Sequence, residues 1–217
     1  MPAQDSAVPT VPSPLDALGL HRAVGAIVAT DPDLRGIVDR HGPPPLWARD
    51  PGFKTLVRIV LEQQVSLASA EAARQRLVRA TGSIEPAAIV AAGEAALREA
   101  GLTRQKARYI VALSGDALSG RLDLDALARA DDDTARAGLM SALGVGRWTA
   151  DIYLLMALGR PDIWPTGDLA LAGAMRRAKS LPTIPTGADQ LVIAEAWRPW
   201  RAVGARILWH AYLAGER

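Results

Sequence analysis

The chain of 217 residues contains no cysteine, which excludes disulfides, a thiolate nucleophile, a cysteine zinc site and an iron–sulfur cluster. Its three histidines, His21, His41 and His210, stand far apart without ligand spacing, so no transition-metal site built from side chains is expected. Long apolar runs are missing too. The longest, such as Tyr153 to Leu158, last only a few residues, so no membrane span is expected. Residues 1–14 hold four prolines and lack the basic and apolar regions of a signal peptide; they read as a disordered tail. Lysine is scarce: only Lys54, Lys106 and Lys179 occur among the 25 basic residues. Arginine makes up the rest and suits bidentate phosphate contacts, although an Ala/Gly/Arg-rich composition produces the same bias.

What is present has the balance of a soluble globular protein, with 49% hydrophobic and 22% charged residues. The net charge of +2 is unevenly spread: residues 54–108 hold nine basic residues against five acidic, and residues 109–139 three against six. Apolar residues recur at three- and four-residue spacing over 15–30, 53–65, 67–80, 86–100, 103–118, 131–143, 147–159, 168–179, 187–197 and 199–214. Shorter helical pieces fall near 32–40 and 123–130. Pro86 and Pro199 sit where helices can begin, and Gly82, Gly101, Gly120 and Gly215 where they can stop. No stretch alternates strictly, so the fold class is all-α. Two proline-rich breaks, 41–45 and 159–161, frame a central helical bundle over 53–160. The flanking segments, 15–52 and 161–217, are expected to combine into a second helical lobe.

The most informative stretch is ALGVGRWTAD, residues 142–151. Gly144 and Gly146, lying between helical segments, allow a tight turn and leave the next helix's first N–H groups open to an anion such as a DNA phosphate. An ordinary helix connector would look the same. Twenty residues after Trp148, the turn Trp164-Pro-Thr-Gly167 leads into Asp168. Asp168 reads either as a helix N-cap, stabilising by about 1 kcal/mol, or as a carboxylate at the mouth of a cleft.

The hairpin LGVGRWTAD followed by PDIWPTGD resembles the helix-hairpin-helix DNA glycosylase superfamily, and within it the alkylpurine branch, 3-methyladenine DNA glycosylase II. LVRIVLEQQVS (56–66), GLTRQKA (101–107) and WRPWRA (197–202) with Trp209 agree with that family in the same order. The resemblance covers about 53–214 and puts the helix-hairpin-helix motif at about 131–159. It implies two helical lobes with an active-site cleft between them. It also implies base flipping and hydrolysis of the N-glycosidic bond of 3-methyladenine- or 7-methylguanine-type bases, initiating base excision repair.

By position, the resemblance makes Asp168 the catalytic residue and puts Trp148 and Trp209 in the base pocket. Ile152 stands where a pocket tyrosine is expected, with Tyr153 beside it, turned by about 100° on a helix. Trp47, Trp164, Trp197 and Trp200 are left mainly with the core. Gln63 and Gln64 fall where the family inserts a wedge into the gap left by the flipped base. Gly144, Val145, Gly146 and Arg147 would contact phosphate. Backbone carbonyls of Met140, Ala142 and Val145 would hold a structural monovalent cation, and no other cofactor is implied.

Trp148 occupies the position of the lyase-type lysine, so the resemblance implies a monofunctional enzyme that leaves an abasic site. Some members carry a β-rich N-terminal domain; about fifty residues precede Phe53 here, which reads as the compact form. The expected partners are alkylated double-stranded DNA and a downstream abasic-site endonuclease, with no membrane. A monomer located in the cytoplasm, at the nucleoid, is expected. The alternatives are a glycosylase of other lesion specificity and a non-catalytic helix-hairpin-helix DNA-binding module.

Overall fold

The computed structural model describes residues 13–215, so most of the expected tail, residues 1–12, lies outside the described residues. Helix follows helix: α1 (Ala17–Thr30), α2 (Pro32–His41), α3 (Phe53–Glu62), α4 (Leu67–Thr81), α5 (Pro86–Glu99) and α6 (Arg104–Leu118). Then come α7 (Leu124–Ala128), α8 (Asp132–Met140), α9 (Arg147–Met156), α10 (Leu169–Ala178), α11 (Gly187–Ala194) and α12 (Arg201–Leu213), with a 3₁₀ turn at Glu195–Trp197. The described residues contain no strand. Side-chain oxygens of Asp16, Asp31, Ser66, Thr103, Asp123, Asp131 and Thr186 accept from backbone N–H groups of the helices they open. These donors would otherwise lack partners, so the short polar residues fix where the helices start.

Several boundaries depart from the apolar periodicity; α8 and α9 each end three residues early, at Met140 and Met156. Gly93, at φ 74° and ψ 172°, breaks α5 within its length. Pro199 does not open α12, which starts two residues later at Arg201. α3 stops at Glu62, because Gln63 turns extended (ψ 125°) and Gln64 adopts φ 56°.

The main helix-packing pairs fall into two sets. In one, α3 packs on α4, α6 and α9, while α5 joins α4 to α6 and α8 joins α7 to α9. Leu56, Val57, Ile59, Val60 and Leu61 of α3 are all buried in its centre. In the other, α12 packs on α1, α2 and α10.

The segment 42–52 ties the two sets together. Gly52 N–H donates to the Tyr153 hydroxyl of α9 (2.8 Å), and Arg49 N–H donates to the Met156 carbonyl (2.8 Å). Arg206 of α12, 1% exposed, donates to the carbonyls of Leu46, Leu155 and Ala202. Burial lowers its guanidinium pKa to about 10, which still leaves it charged at neutral pH. The three carbonyl dipoles take the place of a counter-ion.

A second polar knot fastens α2 to α10. Asp31 caps α2 and accepts from Lys179 Nζ with both carboxylate oxygens (2.7 Å each) and from Trp197 Nε1 (2.7 Å). Burial pushes its pKa up, but the Lys179 ammonium, the Trp197 N–H and the Leu34 N–H outweigh this and hold it below 3.8. A depressed carboxylate pKa contributes stability above the unfolded-state value and loses it as pH falls through the folded-state value. Asp31→Ala is therefore expected to cost about 3 kcal/mol in urea unfolding at pH 7. The gap to the wild type should close as pH falls below 3.8.

Candidate active site

α8 and α9 pack together and are joined by residues 141–146. The reversal is made at Gly144 (φ 88°), while the Val145 side chain is buried and its N–H donates to the Ala142 carbonyl (3.1 Å). Gly146, the N-cap of α9 at φ −87°, offers no side chain to the first helical N–H groups. Those donors and the positive end of the helix dipole are thus left for an external anion.

Across the cleft wall, Asp168 fulfils both readings of its sequence position. Its Oδ1 accepts from Leu171 N–H (2.8 Å), capping α10, and its Oδ2 accepts from Trp148 Nε1 (3.1 Å). One oxygen holds the helix, and the other faces the indole of the hairpin helix. The open cleft around this pair encloses about 1170 Å³, and Gln64, the hairpin backbone, Trp148, Asp168, Leu169 and Tyr212 contribute to its lining.

Gln63 and Gln64, adjacent in sequence, have different surroundings. Gln63 Nε2 donates to the Gly144 carbonyl (2.9 Å) and to Thr149 Oγ1 (2.8 Å), so its amide is held against the hairpin and is not free to enter DNA. Gln64 is exposed on the cleft rim. Arg147 is half exposed, with Nε 3.5 Å from Oδ2 of the fully buried Asp151, whose Oδ1 accepts from Arg136 Nε (2.6 Å). Burial raises the Asp151 pKa, against the pull of both arginines.

A family model described as HhH-GPD superfamily base excision DNA repair protein matches residues 57–202. The chain belongs to this superfamily. It is 34% identical over 203 residues, 86% of its length, to the probable bifunctional transcriptional activator/DNA repair enzyme AlkA of Mycobacterium tuberculosis. It covers 39% of that protein, and 65% of the putative DNA-3-methyladenine glycosylase YfjP of Bacillus subtilis, to which it is 26% identical. A DNA-3-methyladenine glycosidase structure from Bacillus halodurans superposes with TM-score 0.73 at 30% identity, over 88% of each chain. The Schizosaccharomyces pombe 3-methyladenine DNA glycosylase bound to abasic DNA shares the fold, with TM-score 0.82 at 23% identity over 90% of this chain and 98% of that one.

Within the HhH-GPD fold, the residues placed by resemblance separate. Trp148 and Asp168 meet in the cleft. Ile152 (3% exposed), Tyr153 (1%) and Trp209 (8%) belong to the core and do not line the cleft. Tyr153 is turned away by its helical position and fixed there by the Gly52 N–H, which corrects any pocket role for it. Cleft residues that the sequence reading did not mark include Tyr212, Tyr109 and Leu169, the last 84% exposed beside Asp168. The signal available for Tyr212 was its spacing, three residues after Trp209 on the same helix.

Among the described residues no helix is long and apolar enough to cross a membrane, and no cluster of His, Asp and Glu could hold a metal ion.

Proposed function

We propose that the protein is a monofunctional DNA glycosylase that removes alkylated bases of the 3-methyladenine and 7-methylguanine type from duplex DNA and so initiates base excision repair. The observation that carries this reading is the Asp168 carboxylate held in the cleft by Trp148 Nε1. The names of the relatives, a DNA repair enzyme and a 3-methyladenine glycosidase, support it.

A purine methylated at N3 or N7 is positively charged, so its N-glycosidic bond breaks with the bonding electrons neutralising the departing base. Positive charge then develops on the sugar around C1′. A carboxylate fixed beside C1′ stabilises that charge and orients the water that attacks it. The Trp148 indole offers a face to the cationic base, worth roughly 0.5–2 kcal/mol. In this reading the flipped nucleotide enters the cleft, Gln64 fills the gap it leaves, and the N–H groups of Gly144, Val145 and Gly146, with Arg147, hold the phosphate.

The three lysines support a monofunctional reaction. Lys54 pairs with Glu85, Lys106 donates to the Leu61 carbonyl, Lys179 is held by Asp31, and none of them lines the cleft. No lysine amine is therefore in place to form a Schiff base with the sugar. The reading includes a monovalent cation on the carbonyls of Met140, Ala142 and Val145. Ala142 already accepts from Val145 N–H, but a carbonyl has a second lone pair to offer. Such an ion would add positive charge where the phosphate docks. The reading also takes 53–160 as one lobe and 15–52 with 161–217 as the other. The protein would act as a monomer at the cytoplasmic nucleoid and pass its abasic product to an endonuclease.

Incubation with a duplex containing 7-methylguanine tests the proposal. Release of the free base, with strand cleavage appearing only after alkali, is the expected result. Cleavage without alkali would overturn the monofunctional assignment. Binding without base release would leave a DNA-binding module.

A further inference from the structure

The last residue of α3 is an acid in an unfavourable place. Glu62 faces the negative end of its own helix dipole and lines a cleft that, in the proposed function, receives DNA. Its side chain is 9% exposed and is compensated by two arginines. Arg49 grips the carboxylate with both ends of its guanidinium, Nη1 to Oε2 at 2.8 Å and Nη2 to Oε1 at 3.1 Å. Arg58, one turn back on α3, donates from Nε to Oε1 (3.1 Å).

The two arginines differ in what they join. Arg58 belongs to α3, so its bond stays within the helix. Arg49 belongs to the connector 42–52, and its own N–H donates to the Met156 carbonyl at the end of α9 (2.8 Å). The bidentate pair therefore fixes the end of α3 to the end of the hairpin helix. Lys106 of α6 adds a tie, its Nζ donating to the Leu61 carbonyl (2.7 Å). Gln63, the next residue, is bonded to the hairpin itself. Between these anchors and Ser66, which caps α4, Gln64 stands at φ 56°. A left-handed backbone is strained for glutamine, so the surrounding bonds have to hold it there.

We infer that Arg49 and Glu62 are positioning residues for base flipping: their ion pair holds the turn after α3 so that Gln64 is presented at the cleft rim before DNA arrives. This inference rests on the proposed glycosylase reading, with Gln64 as the wedge. Without the tie, Gln64 relaxes to ordinary backbone, and the wedge has to be re-formed at each flipping event. The loss then falls on lesions that must be pulled out of the stack and spares those already unpaired.

The test compares the full chain as wild type, Arg49→Ala, Glu62→Gln and Arg58→Ala. Single-turnover release of 7-methylguanine is measured with the lesion opposite cytosine and with the lesion in a single-nucleotide bulge. Arg49→Ala and Glu62→Gln are expected to lose about tenfold on the paired lesion and less than about twofold on the bulged one. Arg58→Ala is expected to keep the wild-type ratio of the two rates, because its bond joins nothing outside α3. A purely structural role lowers both rates alike, so equal losses overturn the inference. An Arg58→Ala ratio shifted as far as that of Arg49→Ala overturns it too. The same proteins are mixed with a duplex carrying an abasic-site analogue beside 2-aminopurine, which brightens when a wedge unstacks it. If wild type and Arg58→Ala brighten it more than the other two but no protein releases a base, the positioning role stands and the glycosylase reading fails. If the wild type releases 7-methylguanine and all four proteins share one ratio, the glycosylase reading stands and the inference fails.

Discussion

Asp168→Asn is expected to abolish base release, lowering kcat on the order of 10³-fold or more, while the protein stays folded and binds DNA as before. The separation follows from how the carboxylate is shared. Asparagine is as good an N-cap as aspartate, and its amide oxygen can still accept from Leu171 N–H, so α10 keeps its start. What it cannot supply is the negative charge that the proposed mechanism puts beside C1′. Single-turnover excision from a 7-methylguanine duplex, alongside a thermal melt, measures the two contributions separately. A variant that melts like the wild type and still excises at more than a tenth of its rate would remove Asp168 from the chemistry and leave it a helix cap.

Gly144→Ala is the second large effect, and the contrast with Gly146→Ala is its control. Gly144 has φ 88°, and a Cβ there would stand well inside contact distance of the Tyr109 ring. The positive φ and the overlap together should cost about 3 kcal/mol, and the reversal that aims residues 144–147 should be lost. DNA affinity should therefore fall at least tenfold at fixed salt, a loss of about 1.4 kcal/mol. Gly146 has φ −87° and open space around its Cα, so alanine there should leave the melting temperature unchanged. Any binding defect in Gly146→Ala would then report close approach of a phosphate. Tyr109→Ala added to Gly144→Ala should recover the part of the stability that the ring overlap removes.

Much of the fold was legible because its signals are local. Ser66 and Gly82 bracket α4 and Asp131 opens α8, each by a hydrogen bond or a φ value that the residue type itself favours. The break at Gly93 was not, because a lone glycine in an apolar-periodic run reads as a tolerated helix interior. The start of α12 was set by tertiary contact: Arg201 binds Asp162, a residue 39 positions earlier, with its N–H and its guanidinium. In the cleft, the place of Asp168 as the cap of α10 was legible from the turn that presents it. The different surroundings of Gln63 and Gln64 were not, since they depend on partners 81 and 86 residues away. Arg206 carries no local signal of its burial, because the carbonyls that hold it come from three segments.

On the proposed function, the amide of Gln63, bonded at once to Gly144 and to Thr149, has a kinetic meaning for the inspection of long stretches of DNA. It welds the turn carrying Gln64 to the hairpin turn, which would take the phosphate in that reading. With Gln64 as wedge, each time the protein grips the backbone it also presses on the base stack, with no hinge between the two motions. Inspection then proceeds in discrete steps of grip and release. The dwell time at each step is set by how fast the phosphate is let go, so salt that loosens the grip should also shorten each look at a base.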